Sequence, residues 1–139
     1  MSTRVFEELT EEECLALITP GGVGRIAYTG RYGPAVLPVN YGMQNGAIVF
    51  RTTERGALDE DLRTGIAGAE YRVAFEIDSF DMEMREGWSV LVQGPARHLA
   101  EEEEEAARAA GVEPWAPGER SVYMRITPSR ITGRRIGSA

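Results

Sequence analysis

The chain has 139 residues, 42% of them hydrophobic, and a formal net charge of −7: values of one globular domain, residues 1–139, with no basic excess for a nucleic acid. Its 15 basic residues are all Arg, and it holds one Cys and one His, which excludes lysine-based covalent catalysis, a P-loop lysine, an internal disulfide and a His/Cys zinc site within one chain. No apolar run approaches the roughly 20 residues that span a bilayer, and the N-terminus lacks a signal peptide's apolar core, so a cytoplasmic location is expected.

In chain order, Thr10-Glu11-Glu12-Glu13 has capping-box spacing. Behind it Cys14, Leu15, Leu17 and Ile18 form an apolar helical face, ended by Pro20-Gly21-Gly22. Val23 to Tyr28 predicts a strand, and Gly30 to Gly33 a turn. Ala35 to Tyr41 and Ala47 to Thr52 predict a hairpin closed by Asn45-Gly46, both of which tolerate positive φ. A short helix is expected over Ala57 to Arg63, with Leu58, Leu62 and Ile66 facing inward. Arg72 to Ile77 alternates as a half-buried strand does. Asp78 to Gly87 reads as an acidic loop. Trp88 to Gln93 predicts a strand, with a bulge or kink at Gly94-Pro95 before Ala96 to Leu99. Glu101 to Ala110 predicts a helix stopped by Gly111, its Glu run suited to the helix N-terminus. After the Pro- and Gly-rich loop Val112 to Arg120, Val122 to Thr127 and Ile131 to Ile136 are the last strands. Six or seven short strands and about three helices favour an antiparallel barrel, mainly β.

The residues with chemistry to offer cluster in three places. Arg51, Thr52 and Thr53 end the second hairpin strand. They read either as a strand end with an exposed arginine or as a phosphate seat, since Arg offers a bidentate fork and hydroxyls add donors. A helix starting near Ala57 would aim N–H groups at the same place. Leu37-Pro38-Val39-Asn40-Tyr41 is an apolar strand interrupted by Pro, either an ordinary edge or a floor for a flat aromatic ligand. Trp88-Ser89-Val90 and Trp115 read as core, as cover for a ring ligand, or as interface. His98 reads as a surface or satisfied histidine rather than a catalyst, and no GxSxG elbow accompanies it. Cys14 reads as packing. Asp78, Asp81, Glu83 and Glu86 lack EF-hand spacing. Arg134 and Arg135 are adjacent on a strand and face opposite sides.

In this order, the VGRIAY, VLPVNY, IVFRTT, GWSVLVQG, PWAPGER and RITPSRITGRRI segments resemble the pyridoxamine 5′-phosphate oxidase-like family of flavin-binding split barrels, in particular its small actinobacterial members. The resemblance covers nearly the whole chain. It implies a six-stranded antiparallel split β-barrel with peripheral helices, and a homodimer with FMN at its interface. Val36, Leu37, Pro38, Val39, Asn40 and Tyr41 would lie along the ring and ribityl chain. Arg51, Thr52 and Thr53 would hold the phosphate, with position 57 beside them. Trp88, Ser89 and Val90 would come from the partner subunit. Two departures stand out. Relatives commonly carry a basic residue at or beside Ala57, where Arg55 is the nearest substitute here. The tail also lacks the Arg-x-His pair that grips pyridoxine in the true oxidase.

The expectation is therefore an FMN-dependent oxidoreductase of unknown substrate. The alternatives are a reductase using the deazaflavin F420, with Arg55, Arg63 and Arg134 facing its anionic tail, and a non-catalytic flavin- or haem-binding protein.

Overall fold

Local signals and long-range pairing together build this chain, and they do not always agree. The computed structural model describes residues 3–53, 56, 58, 59, 62, 71–115, 118 and 122–138. Among these the elements are β1 (Arg4–Leu9), α1 (Glu11–Ile18), β2 (Gly22–Gly30), β3 (Gly33–Gln44), β4 (Ala47–Thr52), β5 (Tyr71–Asp81), β6 (Glu86–His98), α2 (Glu101–Ala107), a 3-10 turn (Arg108–Ala110), β7 (Val122–Ile126) and β8 (Arg130–Ser138). The sheet order is β1-β8-β6-β5-β2-β3-β4-β7, and β7 also pairs with β6. That last pairing closes six antiparallel strands into a barrel, with β8 and β1 extending the sheet beyond it.

The hairpin forms as its turn residues dictate: Asn45 and Gly46 have φ of 50° and 78°, and Gln44 faces Ala47. The capping box of α1 is present, Thr10 and Glu13 bonding each other's backbone N–H. Cys14 and Ile18 of its apolar face are fully buried. α1 packs tightly on β8, where a Cβ on Gly133 would lie 2.6 Å from the Cys14 sulfur.

Two expectations need correcting, one strand was not foreseen, and one expected helix is described only in part. β1 is a strand, stabilised by pairing with β8 along its whole length. The acidic loop shrinks to Met82–Arg85, because Asp78 to Asp81 and Glu86 to Gly87 continue the β5–β6 ladder. Gly94-Pro95 makes no bulge: β6 runs unbroken, with Gly94 facing Val73 and Pro95 facing Arg72. Pro95 is tolerated because β6 changes partner on its other edge there, from β8, ending at Gln93, to β7, starting at Ala96. Finally, two α-helices are described rather than three. Most of the expected Ala57–Arg63 helix, with Ile66, lies outside the described residues, although Leu58 and Asp59 are helical and Leu62 is buried.

The barrel interior is filled. Phe50, Phe75, Ile26, Ile48, Val90, Val92, Met124 and Ile126 are fully buried, and the Phe50 and Phe75 rings stack at 6.3 Å. A smaller apolar cluster of Val49, Leu99, Ala107, Val112 and Tyr123 packs outside the barrel, where α2 and the segment after it cover β4 and β7. The inner packing leaves no slack at Gly24, where a Cβ would lie 2.1 Å from the Phe75 ring. Gly24→Ala should therefore destabilise by about 1–3 kcal/mol through overpacking. Thermal unfolding would show this as a Tm lower by roughly 3–12 °C.

Candidate functional site

With the interior packed by the buried side chains, a ligand would bind on the outside, and among the described residues part of the β3 edge is open to one. β3 pairs with β2 over its first nine residues but with β4 only from Tyr41 to Gln44. Beyond the Tyr41–Phe50 pair β4 leaves to run with β7, and no described strand follows β3 from Gly33 to Asn40 on that side. The two-residue turn makes Gln44–Ala47 a hydrogen-bonded pair, so backbone groups of even-numbered β3 residues point toward β4. Over the open stretch those residues are Pro34, Val36, Pro38 and Asn40. The prolines have no N–H, so Val36 and Asn40 supply the donors, with the carbonyls of Val36 and Pro38 between them. Val36 is 60% exposed and Leu37 37%.

Side-chain alternation decides which sequence-predicted residues can meet a ligand. Val36, Pro38 and Asn40 face outward. Val39 packs against the core. The Tyr41 ring is buried edge-on to Phe75 at 5.5 Å, and its hydroxyl donates to the Ile18 carbonyl at 2.8 Å. Burial pushes that hydroxyl up to about 12, so it stays a donor, and the Tyr41 side chain is not available outside.

Arg51 lies on the outer face of β4, as Val49 does. Its guanidinium carbon sits 5.0 Å from the centre of the Tyr123 ring, and Nη1 donates to the Val112 carbonyl at 3.4 Å. Asn40 Oδ1 accepts the Trp115 N–H at 2.9 Å. The same short segment, Gly111 to Trp115, thus touches both Arg51 and Asn40. It approaches closely because position 42 has no side chain: a Cβ on Gly42 would lie 2.5 Å from the Ala110 carbonyl oxygen. A cleft of about 240 Å³ results, lined by Asn40, Gly42, Val112 and Trp115 with the Thr19–Gly22 turn. Trp115 is 80% exposed at its rim.

Thr52 points to the opposite face of β4 and pairs with Val122. Thr53 is exposed, its carbonyl accepting the Gly56 N–H at 3.0 Å. Ala57, Arg55 and Arg63 lie outside the described residues. Trp88, Ser89 and Val90 are on β6, separated from β3 by β5 and β2, or roughly 14 Å at ordinary strand spacing. Val90 is fully buried and Trp88 packs against the core. One protomer therefore brings the β3 and β4 residues together and leaves the β6 residues on another part of its surface.

Two groups escaped the sequence. His98 Nε2 lies 2.6 Å from Oδ1 of Asp59, a completely buried carboxylate. Nothing in the pattern around Leu58 and Leu62 pointed to that partner. The second lies beside the open edge on the outer face, where Arg25 is the cross-strand partner of both Pro38 and Glu76. Arg25 Nη1 reaches Glu76 Oε1 at 3.2 Å and Asp78 Oδ2 at 3.3 Å. The 76/78 spacing on one strand face was the available signal for this cluster. Burial, the hydrogen bond to Asp78 and that residue's charge raise the Glu76 carboxyl to about 7, with Arg25 opposing.

The sequence and the fold match known proteins. The pyridoxamine 5′-phosphate oxidase family model matches residues 10–135, and the chain belongs to that family. It is 32% identical over 135 residues to an uncharacterized protein of Mycobacterium tuberculosis, covering 97% of this chain and 88% of that protein. The solved FAD binding protein of Mycobacterium smegmatis is 33% identical with a TM-score of 0.75, covering 93% of this chain and 98% of that one. A putative pyridoxamine 5′-phosphate oxidase of Corynebacterium glutamicum is 28% identical with a TM-score of 0.74, covering 96% and 95%.

The carboxyl cluster makes stability depend on pH near neutrality. Glu76 has a folded-state value of about 7 against an ordinary 4.5, so between these the folded state holds a proton the unfolded chain has lost. Its contribution to stability therefore falls as pH rises through that window. Glu103 works in a different window. The Arg97 fork and the Ala100 N–H hold it at about 2, so its contribution is lost as pH drops from about 4.5 through about 2. Thermal melts should show Tm falling from pH 5 to pH 7.5 in the native protein, with a flatter profile in Glu76→Gln.

Proposed function

We propose that the protein binds FMN along the open edge of β3 and acts as a flavin-dependent oxidoreductase on a small molecule. The observation that carries this is an apolar strand edge, with alternating backbone donors and acceptors, that ends beside a supported arginine. A flavin ring presents donors and acceptors along one edge and apolar faces above and below, which suits Val36 to Asn40. Arg51, braced by Tyr123 and the Val112 carbonyl, would take the phosphate, with Thr53 at the strand end beside it and Thr52 turned to the opposite face. Arg is fitted to this by its fixed fork of donors. The mycobacterial relative named as FAD binding supports a flavin in this family.

The site of one protomer is incomplete. The nearby cleft of about 240 Å³ includes Asn40 but neither Arg51 nor Val36 to Pro38, so the open stretch of β3 has no wall opposite it among the described residues. We assign the missing wall to a second copy, which would bring the β6 surface at Trp88 and Ser89 over the ring in a homodimer, Val90 staying in its own barrel core. Bound flavin supplies the hydride chemistry. The chain's part is to anchor the phosphate, to hydrogen-bond the ring edge from Val36 and Asn40, and to exclude water with Trp115 and the partner. Oxidation of a B6 vitamer is not proposed, since the tail from Arg130 to Ser138 contains no histidine.

The rival cofactors fare less well. F420 needs a basic groove for its acidic tail, and Arg25 on the outer face is already engaged by two carboxylates. Arg134 lies on β8 with its guanidinium carbon 5.9 Å from the Phe6 ring centre. Haem ligation through His98 Nε2 would require breaking the bond to Asp59.

The purified protein should be yellow or should gain flavin absorbance on titration with FMN, with F420 and FAD binding more weakly in parallel titrations. A protein that takes up no flavin would overturn the reading. Arg51→Ala should weaken FMN binding about 10- to 100-fold, the loss of one charge-assisted hydrogen-bond set worth about 1.5–3 kcal/mol.

A further inference from the structure

Asp59 is the one charged residue completely buried among the described residues. Its neighbours Leu58 and Leu62 are 4% and 3% exposed and belong to the main core cluster with Phe50 and Met124. Apolar burial alone would dock this segment. A carboxylate there must be matched by a partner, and a buried ion pair adds little stability over an apolar replacement. What such a pair does add is a fixed position.

The position it fixes is that of the chain leaving Arg51. The segment starts with the Thr53–Gly56 turn, directly after Arg51 and Thr52, and its Leu62 N–H bonds the Leu58 carbonyl at 3.1 Å. The other partner, His98, ends β6. It faces Met124 of β7, which faces Phe50, the residue before Arg51. The next residue, Leu99, donates its N–H to the Tyr123 carbonyl at 2.9 Å, and the Tyr123 ring lies under the Arg51 guanidinium. His98 therefore reaches the Arg51 end of the site by two routes: across β7, and through Asp59 to the segment that follows.

We infer that the Asp59–His98 bond is a positioning device for the phosphate end of the site, tying the segment after Arg51–Thr53 to the barrel. This rests on the flavin reading of that site. Neither residue is assigned a contact with the cofactor; both act through the backbone and side chains around Arg51.

The test separates phosphate from ring. In the full chain, Asp59→Asn, His98→Ala, His98→Gln and the double variant Asp59→Asn/His98→Ala are titrated with FMN and with riboflavin, which has the same ring and no phosphate. Thermal melts are recorded alongside. Asp59→Asn and His98→Ala should each bind FMN about tenfold more weakly with riboflavin affinity unchanged. The double variant should be no worse than either single one, as for residues acting as one unit. His98→Gln, which keeps an N–H donor, should recover part of the loss. Equal weakening of both flavins, or no change in a folded variant, would overturn the inference. Amide hydrogen exchange on the flavin-free protein gives an independent reading. Gly56 and Leu62 should exchange faster in His98→Gln and Asp59→Asn while the β5–β6 amides keep their rates, and unchanged exchange there would sink the tether. If the native protein binds neither flavin, the functional reading falls, and the exchange result alone decides the tether.

Discussion

The arrangement of this molecule depends on one crossing, at which β6 changes partner. β7 and β8 run in the same direction along one edge of β6, β7 beside Ala96 to His98 and β8 beside Gly87 to Gln93. Thr127 to Ser129 link them across β6. The Thr127 N–H bonds the Pro95 carbonyl at 3.1 Å, and the Ser129 N–H bonds the Gln93 carbonyl at 2.8 Å. A Cβ on Gly94 would lie 2.1 Å from the Thr127 carbonyl oxygen, so only glycine allows this approach. Because the link holds, β7 can bend away to pair with β4 and close the barrel, while β8 goes on to pair with β1. Closure packs the interior with aromatic and branched side chains. Binding is left to the outside.

The site lies where the hairpin opens. β4 pairs with β3 on one edge and with β7 on the other from Ile48 to Phe50, and the two hairpin strands part after Tyr41–Phe50, where Arg51 and Thr52 keep β7 alone. The outer face at that fork receives Asn40 from one strand and Arg51 from the other, and the Gly111–Trp115 segment touches both. Among the groups described, a ring face on β7 and a backbone carbonyl help to hold Arg51. A cation so placed is pre-organised for an anion, since its orientation no longer has to be fixed on binding.

What the sequence made legible follows from the range of each interaction. The hairpin could be read because Asn45-Gly46 specifies its turn within two residues, and α1 because Thr10 and Glu13 specify its start within four. β5 showed in its alternation from Arg72 to Ile77. The misreadings were all cases in which a distant partner overrode a local signal. Gly94-Pro95 is a breaker by composition, yet it sits where β6 needs no donor on one edge and no side chain on one face. The acids at 78 and 81 suggest a loop, yet a long ladder to β6 keeps them in a strand. β1 has little pattern of its own and exists through β8. In the site, Arg51 was visible as a residue type, but its supports come from residues 61 or more positions away. Asp59 and His98 are 39 apart, and no periodicity couples them.

The character of the open edge narrows what can cover it. An exposed apolar strand edge invites another strand to add to it, which natural proteins suppress with charge, proline or cover. Here Pro34 and Pro38 occupy two of the four positions whose backbone faces the gap. An added strand would find carbonyls there without the matching N–H donors, so a regular ladder cannot form along the stretch. Charge does not protect it either, because Val36 and Leu37 are apolar and exposed. The cover must therefore satisfy few hydrogen bonds and much apolar surface. A flat heteroaromatic ring with polar atoms along one edge meets both conditions, and a third strand meets neither. The prolines thus do more than mark an edge: they keep a third strand from it, and in the proposed complex the second copy would close over a ligand rather than over bare backbone.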